Sequence, residues 1–514
     1  MSSSIKKLAG QTLWYGISSI AAKFINLLLT PYLTRAKYVK TTNYGQIGII
    51  YSALTILKVI FTYGFETTYF RFSSKPEHKK NIYNTAFLSL LATTVIFTII
   101  LLLVHTAFGK AIGLEKYPDV VKLGILVVGL DSLNAIPFAK LRQENRPIKY
   151  AVINVGGILI NIFFTWLFIS VCPVYVHDHP QGVFNIFLIY GNPADNPVTY
   201  VMLANVLQSA FTLLLLIAEI RAVRLKFNIL LWKEMIIYSY PLIIVGMGGM
   251  VNETFDRLML GWWLPGNEAF RETQVGIYNA CYKLSLLISL SVQAFRMGAE
   301  PFFFNQAEQG NAQRTYARVM KFFVIVVSIM FLLVSLYIPI WQIIIGPDYR
   351  SGLGIVPILL MANICLGIYY NLTIWYKLSN RTGAGATITV IGALITIAIN
   401  YAFIPMFGFY ASAWATFFCY FSMMVISFLW GQKVYYVPYA WKKLLAYLII
   451  VLLLFFMHKG IMGLVHLGTN NISASNIIGI ALGTVFTAAY VYFIIQVEKE
   501  EFARIPYVKK LIRR

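Results

Sequence analysis

Five basic side chains sit inside long apolar stretches: Lys23, Lys58, Arg257, Lys283 and Arg296. At the centre of a bilayer each would cost roughly 2.5–3.5 kcal/mol on insertion scales, so each is expected to face a cavity or a partner. Their neighbours fit that expectation. Tyr15, Ser19, Lys23, Asn26 and Thr30 step by three or four and share one helix face. Tyr51, Thr55, Lys58, Thr62 and Glu66 form a second stripe. Tyr282, Ser285, Ser289, Gln293, Arg296 and Glu300 form a third, with Asn279 and Lys283 beside it. A basic, hydroxyl-rich cavity of this kind suits a phosphate or pyrophosphate: lysine binds it as a point charge, arginine as a two-toothed fork. The acids Glu66, Asp131, Glu253, Asp256 and Glu300 are the candidates for gating pairs or for a coupling H+ or Na+. Pairing competes with ligand binding at Arg257, which follows Asp256 directly and Glu253 by four. Lys23 and Lys58 have no acid one turn away. Arg296 and Glu300 lie near a span end, where snorkelling or a gate pair competes.

The elements that must position these residues are membrane spans. Of 514 residues, 59% are hydrophobic and 12% charged, with a mean hydropathy of +0.70. A soluble domain carries about twice that charge, so a soluble enzyme, a disordered protein and a secreted disulfide scaffold are excluded. About 20 apolar residues cross a bilayer. Fourteen stretches qualify: 10–33, 45–66, 83–106, 119–138, 150–172, 198–220, 235–263, 276–298, 317–345, 353–374, 384–405, 408–430, 442–464 and 475–496. With the N-terminus inside, 28 Lys/Arg fall on the inner side and 7 on the outer. That asymmetry predicts two cytoplasmic termini in a multi-pass plasma-membrane protein. The net charge of +22 is therefore assigned to the membrane surface and an anionic ligand, not to nucleic acid.

The chain also repeats itself. Gly64-x-Glu66-x-x-Tyr69-Phe70 matches Gly298-x-Glu300-x-x-Phe303-Phe304 at an offset of 234, and Lys23 falls on Arg257 and Pro31 on Pro265. Asn145-Arg146 matches Asn380-Arg381 at 235, followed by identities at Ala151, Val155, Gly157, Leu159, Ile160 and Ile162. Six spans separate the copies, so both have the same orientation, as in a parallel repeat. The expected fold is an all-α polytopic membrane protein. Its N-lobe would be residues 1–225 (six spans) and its C-lobe 226–432 (six spans), with two extra spans and a basic tail over 433–514.

Several classes of site are not indicated. Cys172, Cys281, Cys365 and Cys419 lie in or beside apolar stretches without zinc or disulfide spacing. No G-x-x-x-x-G-K-[ST] occurs, so no ATPase is built in. His177-Asp178-His179 reads as a solvated loop rather than a metal site, and His105, His458 and His466 read as interfacial. No catalytic residue, metal or cofactor is assigned, beyond an ion gradient to drive the cycle.

The stretches TPYLTRAKYVKTTNYGQIGIIYS, GFETTYFRF, FAKLRQENRPIKY, NETFDRLMLGWWLP, VGIYNACYKL and MGAEPFFF resemble, in order and spacing, the MOP exporter superfamily. The likeness is to its oligosaccharide-lipid flippases of the Wzx type and covers nearly the whole chain. It implies a V-shaped, alternating-access carrier of the MATE/MurJ-like fold. Such a carrier would move an undecaprenyl-pyrophosphate-linked oligosaccharide (O-antigen, capsule or exopolysaccharide) across the bacterial inner membrane, supplying glycan polymerase machinery. The related lipid II flippases use basic residues in helices 1, 2 and 8 for the pyrophosphate. By position that role falls on Lys23, Lys58 and Lys283, although here lysines stand where arginines are usual. Two alternatives remain open: a multidrug/cation antiporter of the same superfamily, and a membrane-embedded polysaccharide polymerase or glycosyltransferase. The antiporter calls for an acidic cavity, and the enzyme calls for a large outer loop or an acidic motif that the chain lacks.

Overall fold

The computed structural model describes residues 24–25, 27–73, 81–178, 188–307, 311–379, 381–468 and 471–503. These are helical, with no strand among them. Among the described residues, thirteen helices are long and apolar enough to cross a membrane, and they correspond one to one with the last thirteen predicted spans. Of the first span, 10–33, only the end falls among the described residues, as the short helix α1 (Leu29–Leu33). Lys23 lies outside the described residues, so the count of fourteen rests on the sequence for that span.

The first half contains α2 (Thr41–Ser73), α3 (Ile82–Leu103), α4 (Pro118–Gln143), α5 (Pro147–Val176) and α6 (Pro197–Leu215). The second contains α7 (Ile229–Thr254), α8 (Glu268–Met297, running on to Gln306), α9 (Ala312–Ser335), α10 (Pro347–Leu378), α11 (Gly383–Phe407) and α12 (Phe409–Val434). The last two are α13 (Trp441–Val465) and α14 (Ser473–Val497). At 1.5 Å per residue, some 20 residues suffice for the ~30 Å hydrocarbon core, and all but α6 exceed that. Proline at the first turn of α4, α5 and α6 starts each helix where its missing N–H is harmless. Gly408, at φ +57°, turns α11 directly into α12, a conformation that costs glycine no side-chain clash.

The repeat is visible in the packing. In the first half, α4 packs on α2, α3 and α6, and α5 packs on α6. In the second, α10 packs on α8, α9 and α12, and α11 on α12, which is the same pattern six helices later. A local mark accompanies it. The Arg146 N–H donates to the Leu141 carbonyl at 2.9 Å and the Arg381 N–H to the Tyr376 carbonyl at 2.8 Å, two identical helix stops 235 residues apart. Among the described residues, five membrane-length helices of the first half and six of the second thus share one packing pattern, with two added helices after them. The added pair packs against α9, and much of its remaining surface is apolar and exposed.

The predicted seventh span, 235–263, proves to be two helices. It breaks at Phe255 into α7 and a segment Asp256–Trp263. The part of α7 nearer its start packs on the first lobe, where Leu231 and Met235 join a core with Tyr63, Phe65, Phe72 and Phe87. Its far end packs on α11 and α12 through Asn252. His458 departs from the interfacial expectation: its Nε2 lies 2.9 Å from the Gly479 carbonyl and joins α13 to α14. Mid-helix polar atoms in a bilayer must find such partners.

Candidate functional site

The ends of the helices define two faces, one carrying most of the Lys/Arg and one opposite it. At the opposite face the lobes touch. Gly45 of α2 and Gly276 of α8 let two backbones meet: a Cβ at Gly45 would stand 1.8 Å from the Glu272 carbonyl, and one at Gly276 2.2 Å from that of Thr41. The Thr34 hydroxyl accepts the Gly346 N–H at 3.0 Å, and the Trp262 indole donates to the Ala111 carbonyl at 2.8 Å. Lys116 pairs with Glu268. At the basic face the start of α7 reaches the first lobe: the Trp232 indole donates to the Ser89 hydroxyl at 2.8 Å, and Arg71 stands 4.1 Å from the Tyr238 ring. The lobes therefore meet backbone to backbone at the face opposite the Lys/Arg-rich one, and at the basic face through the start of α7.

In the basic-side half of the second lobe lies a cavity of about 610 Å³, bounded by α7, α8, α10, α11 and α12. That is the size range of small-molecule sites. Its charged lining is Glu253, Arg296 and Lys377, and its rings are Tyr282, Tyr369, Tyr370, Tyr376 and Tyr420. Arg296 stands 4.7 Å over the Tyr370 ring, which fixes the plane of the guanidinium. Polar contacts hold the walls. The Asn252 amide donates to the Thr389 carbonyl at 3.2 Å, Tyr420 donates to the Asn252 carbonyl at 3.2 Å, and Ser289 donates to Asn363 Oδ1 at 2.8 Å. Chemically the cavity offers two cations for an anionic group, flat apolar ring faces for sugar C–H surfaces, and amides for hydroxyls.

The predicted residues divide between this cavity and other sites. Arg296 and Glu253 line it. Lys283 lies 13 residues before Arg296 on α8, next to the lining residue Tyr282, partly buried, with no hydrogen bond or ion pair among the described residues. Lys58 points into the first lobe. Its Nζ is 3.8 Å from Asp131 of α4, and the Ser209 hydroxyl donates to the same carboxylate at 2.7 Å. The lysine thus has an acid partner that its own helix does not supply, yet it stays half exposed. Glu66 accepts from Arg142 at 2.5 Å at the basic end of that lobe. Glu300 lies in the continuation of α8, its side chain outside the described residues.

Arg257 and Asp256 are sealed instead. Arg257 Nη1 lies 2.8 Å from Asp256 Oδ1, its guanidinium stands 4.2 Å from the Tyr282 ring, and Tyr278 donates to the other carboxylate oxygen. Both residues are buried. The expected Glu253–Arg257 ion pair does not form: Arg257 bonds the Glu253 backbone carbonyl at 3.0 Å and leaves the carboxylate to the cavity. The reason is the break at Phe255, which places Asp256 at the start of a new helix within reach of its neighbour.

Lys377 and the tyrosines of α10 escape the sequence reading. Tyr369, Tyr370, Thr373, Tyr376 and Lys377 recur at helical spacing, but hydropathy ends the span at 374, so Lys377 counts as a flanking charge.

A family model described as polysaccharide biosynthesis protein matches residues 8–306, more than half of the chain. No curated protein matches the sequence. Among solved structures the fold is similar to "Lipid II flippase MurJ, inward closed conformation", at TM-score 0.63 and 14% identity, covering 94% of this chain and 98% of that one. It is also similar to an inward-facing multidrug resistance MATE transporter of the MOP superfamily, at TM-score 0.58 and 12% identity, covering 82% and 94%. A MATE transporter in the straight conformation matches at TM-score 0.56 and 12% identity, covering 83% and 95%.

Proposed function

Because the chain belongs to the polysaccharide biosynthesis protein family, we propose that it is an alternating-access flippase for a lipid-pyrophosphate-linked oligosaccharide, a carrier and not an enzyme. The observation that carries this reading is the Arg296–Lys377–tyrosine cavity on the basic side of a bundle whose lobes meet backbone to backbone at the opposite face. With the basic face cytoplasmic in a bacterial inner membrane, the cavity opens towards the side where lipid-linked glycans are made. The undecaprenyl pyrophosphate enters between the lobes, with Lys58, Lys283 and Lys23 available to its charges. The glycan lies against the tyrosines, and the lipid tail stays in the bilayer. Rocking of the lobes then breaks the α2–α8 seam and exposes the load to the other side, where polymerase machinery takes it up. An ion gradient resets the carrier by binding one state better than the other.

The cation-antiporter alternative calls for net negative charge around the ligand, whereas the lining here has two cations against Glu253. The test is flipping of a fluorescent undecaprenyl-pyrophosphate oligosaccharide in proteoliposomes. Protein-dependent flipping lost in well-folded Arg296→Ala and Lys377→Ala supports the reading. Export of a cationic dye with no flipping of any lipid-linked glycan overturns it.

A further inference from the structure

The seam between the lobes contains a carboxyl group with an unfilled hydrogen-bond requirement. Glu272 of α8 is 4% exposed and Gln46 of α2 is 2% exposed. The Gln46 amide donates to Glu272 Oε2 at 2.9 Å across the lobe boundary. The second carboxyl oxygen, Glu272 Oε1, and the Gln46 carbonyl oxygen are both buried with no hydrogen-bond partner. Two lone acceptors beside one another in a dry seam are costly, and an ionised carboxylate there more so. One proton removes both defects: a carboxylic acid at Glu272 donates from Oε1 to the Gln46 carbonyl and closes a two-bond acid–amide pair.

The other charged groups around Glu272 do not substitute for that proton. From the α3–α4 connection, Lys116 is paired with Glu268 rather than with Glu272, and Tyr117 interacts with Gln46. On the glutamate's own helix, Glu268 and Arg271 flank it at the solvent end. The 347–355 segment packs further along α8, at Ile277 and Cys281, and the Asp256–Arg257 pair faces Tyr278, so neither reaches it.

We infer that Glu272 is a proton-binding site that latches the lobe seam: protonated when the seam is closed, ionised when it is open. The inference rests on the alternating-access reading for its place in a cycle. Opening the seam brings Glu272 and Gln46 into water, where the carboxylate is the stable form. Taking a proton from the outer side lets the seam close again and returns the empty carrier to its inward-open state. The proton is taken from and returned to the outer water, so the latch makes the switch pH-sensitive without carrying a proton across the membrane.

The test needs no substrate. Spin labels are placed on the full chain at Asp195→Cys and Met406→Cys, exposed positions near the outer ends of the two lobes. The four native cysteines are buried. In nanodiscs, the closed, short-distance fraction of the otherwise native chain is expected to rise at least threefold from pH 8.5 to pH 5.5. Glu272→Gln, neutral and able to donate, is expected to stay closed across that range. Gln46→Met removes the acceptor, so its closed fraction falls and its response moves to lower pH. A pH-independent distance in the native seam, or a native-like pH response in Glu272→Gln, overturns the latch. Should Glu272→Gln fail to fold, a Gln46→Met response identical to the native one does the same. A pH switch without glycan flipping would sink the flippase reading and leave the latch, and flipping without the switch would do the reverse.

Discussion

The two lobes repeat one packing pattern and use it differently. In the first, Lys58 meets Asp131 at 3.8 Å with both side chains at least one-third exposed, a loose pair open to solvent. In the second, the basic residue one repeat on from Lys23, Arg257, is locked to Asp256 at 2.8 Å and covered by Tyr278 and Tyr282. The second lobe then opens a separate cavity at the basic-side ends of α8 and α10, lined by Arg296 and Lys377. A duplicated framework fixes where charges enter the membrane. Whether a charge meets ligand or protein depends on local breaks such as Phe255.

The contrast is broken most strongly at Asp256. Asp256→Ala leaves the Arg257 guanidinium buried without its partner, which costs about 3–5 kcal/mol. The expected outcome is a large drop in unfolding temperature in detergent, partly recovered by adding Arg257→Met. An unchanged temperature in the single variant would mean that this pair does not hold the lobe. The next effect falls on transport. Arg296→Ala or Lys377→Ala removes a charge-assisted hydrogen bond worth about 1.5–3 kcal/mol, or roughly 10–100-fold in affinity for the lipid-linked cargo. Unfolding temperature should stay near that of the unaltered chain, because both side chains face a cavity. Binding of the labelled cargo, titrated in nanodiscs, separates the two effects.

Much of this organisation is legible in the chain. Hydropathy locates the thirteen described spans, and Pro405 and Gly408 mark the tight α11–α12 turn. The Asn-Arg match at 235 is confirmed as a shared helix stop. What is not legible depends on contacts far apart in sequence. Asp131 reaches Lys58 only through α2–α4 packing, and Gln46 reaches Glu272 across 226 residues. Helical stripes show which side chains share a face, not which helix that face meets. Lys377 is missed for a different reason: a charge at a span end looks like a topology signal whether or not a cavity reaches it.

Each lobe also has a buried glutamate clamp at the basic face, and these sharpen the comparison further. In the first lobe, Glu219 accepts from Lys149 at 2.6 Å and Arg146 at 3.2 Å, joining the end of α6 to the start of α5. The second lobe's clamp is Glu498, just past α14. It accepts from Lys321 of α9 and Lys443 of α13, both at 2.7 Å, and from Tyr447 at 2.5 Å, so it ties the added pair to the lobe. Burial raises the Glu498 carboxyl's pKa, but hydrogen bonds from Lys321, Lys443 and Tyr447 outweigh it and hold the group below its ordinary value. A depressed folded value means that the stabilisation is fully present above about pH 4.5, the ordinary value, and is lost as pH falls through the folded one. Glu498→Gln should cost about 1.5–3 kcal/mol. It should also flatten the acid limb of stability against pH, and hydrogen exchange should rise in α14 before α10. Uniform exchange across both helices would dissolve the distinction between a lobe and its appendage.

The smallest effect is the most informative about the first lobe. A half-exposed pair at 3.8 Å contributes about 0–1 kcal/mol, so Lys58→Ala should barely move the unfolding temperature. If Lys58 serves only Asp131, Lys58→Ala and Asp131→Asn should change flipping equally and not add in the double variant. If it serves a pyrophosphate, Lys58→Ala should slow flipping severalfold more than Asp131→Asn, and Lys58→Arg should restore most of the rate. The carboxylate at Asp131 holds the ammonium in place and also competes for it. Removing Asp131 alone should therefore leave cargo binding slightly tighter, an outcome that a purely structural pair does not produce.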